Sequence, residues 1–232
     1  MSNTLIIEQH PSLVIGDIAA RHGLDLIFTY SHYEVAPPGL QAASPRTATL
    51  RVSGSDITAD WIMHRLAELG PNEELAWHSW VECKGVSFHI PMIDFIGRTA
   101  RSVFCQLSRV LAAEMDIHAD FVLFDTERSF HGYFLDLLPE QAWSKYLGQL
   151  LLLNESNRPP VIDARWVGHA LTRGFSALRW SNKHEPLPSH ASTCIAPLSE
   201  QLALSSCGLE RQISAQKRGQ RTWTERTIRP AG

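Results

Sequence analysis

Cysteine is scarce: four residues, Cys83, Cys105, Cys194 and Cys207, are scattered through 232. No two stand close together, which excludes a disulfide framework and leads us to expect a reduced, cytoplasmic chain. Long apolar runs are missing as well. The most apolar stretch, residues 147–153, is interrupted by Gly148 and Gln149 and falls far short of a bilayer span. The first residues, Met-Ser-Asn-Thr, supply no basic start before an apolar segment, so neither a membrane span nor a secretory leader is expected. Positive charge is not in excess, since 21 Lys and Arg face 24 Asp and Glu. That balance excludes a uniformly basic nucleic-acid coat and confines any such contact to a local groove. Hydrophobic residues are plentiful at 44%, enough to bury a full core.

The pattern alternates between strand and helix. Residues 4–8 read as a strand, 12–22 as a helix closed by Gly23, and 24–29 as a second strand. Pro37, Pro38, Gly39 and Pro45 mark a loop before a strand at 47–52. Asp56 is placed to cap a helix over 57–69, with Trp61, Ile62, Leu66 and Leu69 on one stripe and Gly70 at its end. Strands at 76–82 and 86–95 flank a Lys84-Gly85 turn, and a helix follows Gly97 with Val103, Phe104, Leu107, Val110 and Leu111 at helical spacing. A second hairpin, 120–124 with 130–135, leads to a helix opened by Pro139 that buries Trp143, Tyr146, Leu147 and Leu150. The expected class is α/β (α+β): an N-terminal α/β lobe over 1–70, a core of two ββα units in mixed or antiparallel sheets over 71–185, and a C-terminal helical segment with a basic tail over 186–232.

Residues that can carry chemistry fall in order through the middle of the chain. Asp94 lies in Ile-Pro-Met-Ile-Asp-Phe, then comes Ser129-Phe130-His131-Gly132, then Asp163 in Val-Ile-Asp-Ala-Arg, then Leu178-Arg179 and Ser181-Asn182-Lys183. Two strand-borne aspartates can hold a divalent metal, and a histidine with a following Arg and Lys can hold a triphosphate. A strand returns to the same face after two residues, so a second metal-binding carboxylate belongs at position 96, where Ile stands. In the 130–135 strand, Phe130, Gly132 and Phe134 share one face and His131, Tyr133 and Leu135 the other. Gly132 leaves room beside His131 for the close approach of a phosphate. Each residue has a plainer role open to it: Asp94 and Asp163 as helix caps, His131 as a hydrogen-bonded strand residue, Arg179 as a surface side chain packed on Trp180. Arg165, His169 and Arg173 stand at near-helical spacing, as a basic stripe or simply a solvated face.

This series of motifs resembles the archaeo-eukaryotic primase superfamily, which includes the primase-polymerases, over roughly residues 86–184. In that family the first motif is a strand with Asp-x-Asp or Asp-x-Glu, the second a small residue, any residue and His, and the third an apolar residue followed by Asp. The resemblance implies that Asp94 and Asp163 are catalytic, metal-binding carboxylates for Mg²⁺ or Mn²⁺, and that Ser129, His131, Arg179 and Lys183 contact the nucleotide's phosphates. Two-metal nucleotidyl transfer needs anionic ligands that fix both ions. Ile96 departs from the family pattern, and Asp125, Glu127 and Asp136 are the nearby acids that could replace the lost oxygen. The resemblance therefore implies a primase-like protein that binds nucleotide or nucleic acid, with transfer weakened or lost. An active primase-polymerase using a replacement acid, or a non-catalytic interaction subunit with a protein partner, are the alternatives.

The C-terminal segment holds His184, His190, Cys194 and Cys207, a donor mixture that zinc accepts, but without the close pairs of a zinc site. Beyond Gly208, Arg211, Lys217, Arg218, Arg221, Arg226 and Arg229 face only Glu210 and Glu225, with Trp223 among them. Such an end suits nucleic-acid contact or plain solvation.

Overall fold

The computed structural model describes residues 11–23, 25–34, 46–70, 72–96, 121–126 and 129–180. The strand expected at 4–8, the helix after Gly97, the four C-terminal zinc-type donors and the basic tail all lie outside the described residues.

Helix α1 (Pro11–His22) buries Val14, Ile15, Ile18 and Ala19 on one stripe and ends where Gly23 takes a φ of 124°. Strand β1 (Ile27–Glu34) starts later and runs longer than expected. Leu26 N donates to Gly23 O in an intervening turn, and the β-favouring residues Tyr30 to Tyr33 stay paired on both sides. After β2 (Arg46–Ser53), Gly54–Asp56 forms a 3-10 turn, and α2 (Ala59–Ala67) is capped by Thr58, whose Oγ1 accepts from Trp61 N at 3.2 Å. Asp56, the expected cap, instead ends the 3-10 turn.

Strands β3 (Glu73–Cys83) and β4 (Val86–His89) form the expected hairpin, with Lys84 at φ 50° and Gly85 at φ 80°. Two successive positive φ values suit a two-residue turn whose twist matches the strands. The run 86–95 is not one strand. Ile90 N still donates to Ser79 O at 2.7 Å, but Pro91 has no N–H to give, and β5 (Met92–Phe95) passes into another sheet. There it meets the second hairpin, β6 (Phe121–Asp125) and β7 (Phe130–Phe134). A short β8 (Leu138–Pro139) leads into α3 (Glu140–Leu151), which buries Trp143, Tyr146, Leu147 and Leu150 as expected. Helix α4 (Ala164–Arg173) and strand β9 (Ala177–Arg179) complete the described chain.

The strands make two sheets, one in the order β2-β1-β3-β4-β8 with β9 also on β3, the other β5-β7-β6. Every pairing between these strands is antiparallel, and with the helices this gives the mixed α+β class expected. The boundary expected at residue 70 falls between α2 and β3, inside a sheet and a core that span it, since β1 pairs with β3. One core packs Ile93, Phe95, Phe121, Phe130 and Phe134 against α3 and α4. The other gathers α1, α2, Phe28, Tyr30, Trp77 and Trp180 with Met92 and Tyr133 from the opposite face of the small sheet. The small sheet is thus covered on both faces, and polar side chains on it must be satisfied or functional. No helix among the described residues is long and apolar enough to cross a membrane.

Candidate functional site

Antiparallel register sets Asp94 on β5 directly opposite His131 on β7, with Phe95 opposite Phe130. Alternation then sends Phe95 and Phe130 into the core under α3 and α4 and leaves Asp94 and His131 together on the other face. The chain returns to this strand end at residues 161–163. Ile96 N donates to Val161 O at 2.7 Å, Asp163 N donates to Asp94 O at 3.0 Å, and Phe95 bridges Ile162. Asn154 holds the returning segment, its Oδ1 accepting from Val161 N at 2.8 Å and Ile162 N at 2.9 Å while its Nδ2 donates to Ile162 O at 3.0 Å. Strand β9, paired with β3, also packs against β5 and delivers Arg179.

Electrostatics couple these residues. Burial, and then the charge of Asp163, push the Asp94 carboxyl up to about 7, while Arg179 pulls the other way. Burial, and then the positive charge of Arg179, push His131 down to about 4 against a hydrogen bond with the Arg179 backbone. His131 Nε2 lies 3.7 Å from Asp94 Oδ1, so at neutral pH this is a neutral imidazole beside a carboxyl, not an ion pair. The Tyr133 hydroxyl is buried on the same face without a hydrogen-bond partner among the described residues, and burial together with Asp94 raises its pKa.

Asp163 also does what its plainer reading expected, because its Oδ1 accepts from Arg165 N at 2.8 Å and Trp166 N at 3.1 Å, capping α4. Arg165, His169 and Arg173 lie exposed along that helix. Ser129 precedes β7; its N–H donates to Thr126 Oγ1 at 3.1 Å and its own hydroxyl is buried without a partner among the described residues. Lys183, the acid Glu127 and the side chain of Asp125 lie outside the described residues. Asp136 sits past the far end of β7 from Asp94 and pairs with Arg21 at 3.0 Å, so it does not supply the oxygen missing at position 96. Ile96 itself follows the strand end with 44% of its surface exposed.

Two expectations need correction or extension. A Cβ on Gly132 would come within 2.5 Å of the Phe121 ring and 3.1 Å of Phe95, so this glycine admits aromatic rings into the core and does not clear a path for phosphate. Glu74, not singled out from sequence, is a buried acid whose Oε2 takes a 2.8 Å bond from Arg179 Nη1. Its signal was alternation: Glu74, Ala76 and His78 share the face of β3 opposite Leu75 and Trp77.

A family model described as archaeo-eukaryotic primase 1D-like matches residues 53–191, more than half of the chain. The chain belongs to the archaeo-eukaryotic primase superfamily. No curated protein and no solved structure matches it. The matched span contains every residue that carries the primase resemblance, from Asp94 to Lys183.

For this primase-like chain, fit to a metal turns on the donors present. Asp94 and Asp163 are neighbouring carboxylates whose repulsion a cation would relieve, and one divalent ion could complete its oxygen shell from phosphate and water. Among the described residues no group of three or more His, Cys, Asp or Glu side chains is arranged to hold a metal. Two carboxylates, one of them already capping α4, fall short of the anionic ligands that a bridged metal pair needs.

Proposed function

We propose that this primase-superfamily chain binds a nucleoside triphosphate, alone or with nucleic acid, and that metal-dependent nucleotidyl transfer is weakened or lost. The convergence of Asp94, Asp163, His131 and Arg179 around a strand end that continues into exposed Ile96 is the observation that carries this reading. Asp94 and Asp163 would hold one Mg²⁺ or Mn²⁺, which offsets phosphate charge when bound. His131, neutral at physiological pH, is suited to a hydrogen bond with a phosphate oxygen, and Arg179 supplies a planar charged fork. The buried Ser129 hydroxyl is a further phosphate contact in this reading, and Lys183 would add a mobile positive charge. The scattered cysteines agree with a reduced, cytoplasmic setting.

The test combines binding with primer extension. With Mn²⁺ present, a nucleoside triphosphate should raise the melting temperature, and His131→Ala or Arg179→Ala should abolish most of that rise. Template-directed incorporation should be absent or slow in the wild type and increase in Ile96→Glu. Robust wild-type incorporation that disappears in Asp94→Ala would overturn the loss of transfer, and a melting temperature indifferent to nucleotide would overturn the site.

A further inference from the structure

The Glu74–Arg179 pair joins unequal partners: the Glu74 side chain is 5% exposed and the Arg179 side chain 59%. Withdrawing a carboxylate from water is costly, and a well-packed apolar pair commonly serves a fold as well or better. Stability alone is therefore a weak reason for an acid here. The geometry supplies another. Arg179 sits across from Ala76 in the β3–β9 ladder, Trp180 N donates to Leu75 O at 2.9 Å, and Glu74 lies two residues from Ala76 on the same face. The backbone of Arg179 is thus fixed by the sheet, and the Glu74 bond at Nη1 fixes its guanidinium. A guanidinium carries five donors in one plane, so a carboxylate anchoring one nitrogen sets the direction of the others.

We propose that Glu74 is a positioning residue that aims the Arg179 fork at the phosphate chain of a bound nucleoside triphosphate, on the far side of Arg179 from its own carboxylate. The proposal rests on the nucleotide reading above. Glu74 does not itself contact the ligand, since its negative charge is enclosed behind Arg179. It converts a flexible surface arginine into an oriented one, lowering the ordering cost that phosphate binding would otherwise carry.

Calorimetric titration of the full chain with a nucleoside triphosphate plus Mn²⁺, and separately with the matching nucleoside, tests this. Glu74→Gln should weaken triphosphate binding about tenfold, the scale of one hydrogen bond to a charged group, and leave nucleoside binding unchanged. In an Arg179→Ala background the same change should have no further effect on triphosphate binding. Equal losses on both ligands, a loss that adds to that of Arg179→Ala, or no loss would each overturn the positioning role. If Glu74→Gln does not fold, Glu74→Asp carries the test: it keeps the buried charge, draws the anchor back by one methylene, and should lower triphosphate affinity alone. Wild-type protein that binds no triphosphate would sink the nucleotide reading and this proposal together. Binding lost in Arg179→Ala but intact in both Glu74 variants would sink this proposal alone.

Discussion

Gly132 shows how one residue's role depends on which way its missing side chain would point. It shares a face of β7 with Phe130 and Phe134, and a methyl group there would collide with the Phe121 and Phe95 rings. Gly132→Ala should therefore lower stability by about 1–3 kcal/mol through overpacking, and Phe121→Leu in the same chain should restore part of it. Thermal melts check this; unchanged melting with weakened nucleotide binding would return the glycine to the ligand side. Asp94, His131, Asp163 and Arg179 could be singled out in sequence because each sits in a short motif. Glu74 was not, because its meaning depends on a partner far along the chain, as the β3–β9 pairing shows. The direction of Gly132 needed the Phe121 ring, which no local pattern places.

At the scale of elements, helices and hairpins with strong periodicity were legible, and the breaks between sheets were not. Residues 86–95 read as one strand because their apolar and β-branched character is continuous; Pro91 divides them, and its carbonyl accepts from Phe134 N at 3.0 Å in the second sheet. That division aims Asp94 at His131, so the site is a product of the switch between sheets. The other half of the site depends on a segment with no regular structure, residues 161–163, held by three hydrogen bonds from Asn154. Asn154→Ala should cost about 2–3 kcal/mol at roughly 1 kcal/mol per bond and speed hydrogen exchange at the Val161 and Ile162 amides. Asn154→Asp keeps an acceptor for both amides and should preserve more of their protection. Unchanged exchange in Asn154→Ala would show that packing of Ile162, not the asparagine, holds Asp163 in place.

Across the whole molecule, burial of ionisable groups ties stability to pH, and the signs do not all agree. His89 is stacked on Trp143 at 4.5 Å and bonded to Ser79 Oγ at 3.0 Å, and burial pushes it down to about 4 from an ordinary 6.5. His131 is pushed down to about 4 as well. Between these values the unfolded chain binds protons that the folded chain refuses, so each histidine makes stability fall as pH drops from 6.5 towards 4. Asp94 acts oppositely. Raised to about 7 from 3.8, it keeps its proton in the folded chain after the unfolded chain has released it, so its contribution is full below 3.8 and is lost as pH rises through 7. Each group changes stability by about 1.4 kcal/mol per pH unit inside its window, so two histidines outweigh one aspartate and acid destabilises through these three. Differences between variants and wild type isolate the groups. Asp94→Asn should be more stable than wild type at pH 8, by up to about 4 kcal/mol, with the advantage shrinking steadily towards pH 4. His89→Gln should flatten the acid limb that the wild type shows. Denaturant melts across this range provide the check, and an Asp94→Asn advantage independent of pH would mean that the carboxyl is not held protonated by the fold. If the advantage does fade on acidification, a cation held at Asp94 should offset part of this penalty at pH 8, both the cost of burying its charge and the repulsion from Asp163, so Mn²⁺ should stabilise the wild type there more than it stabilises Asp94→Asn.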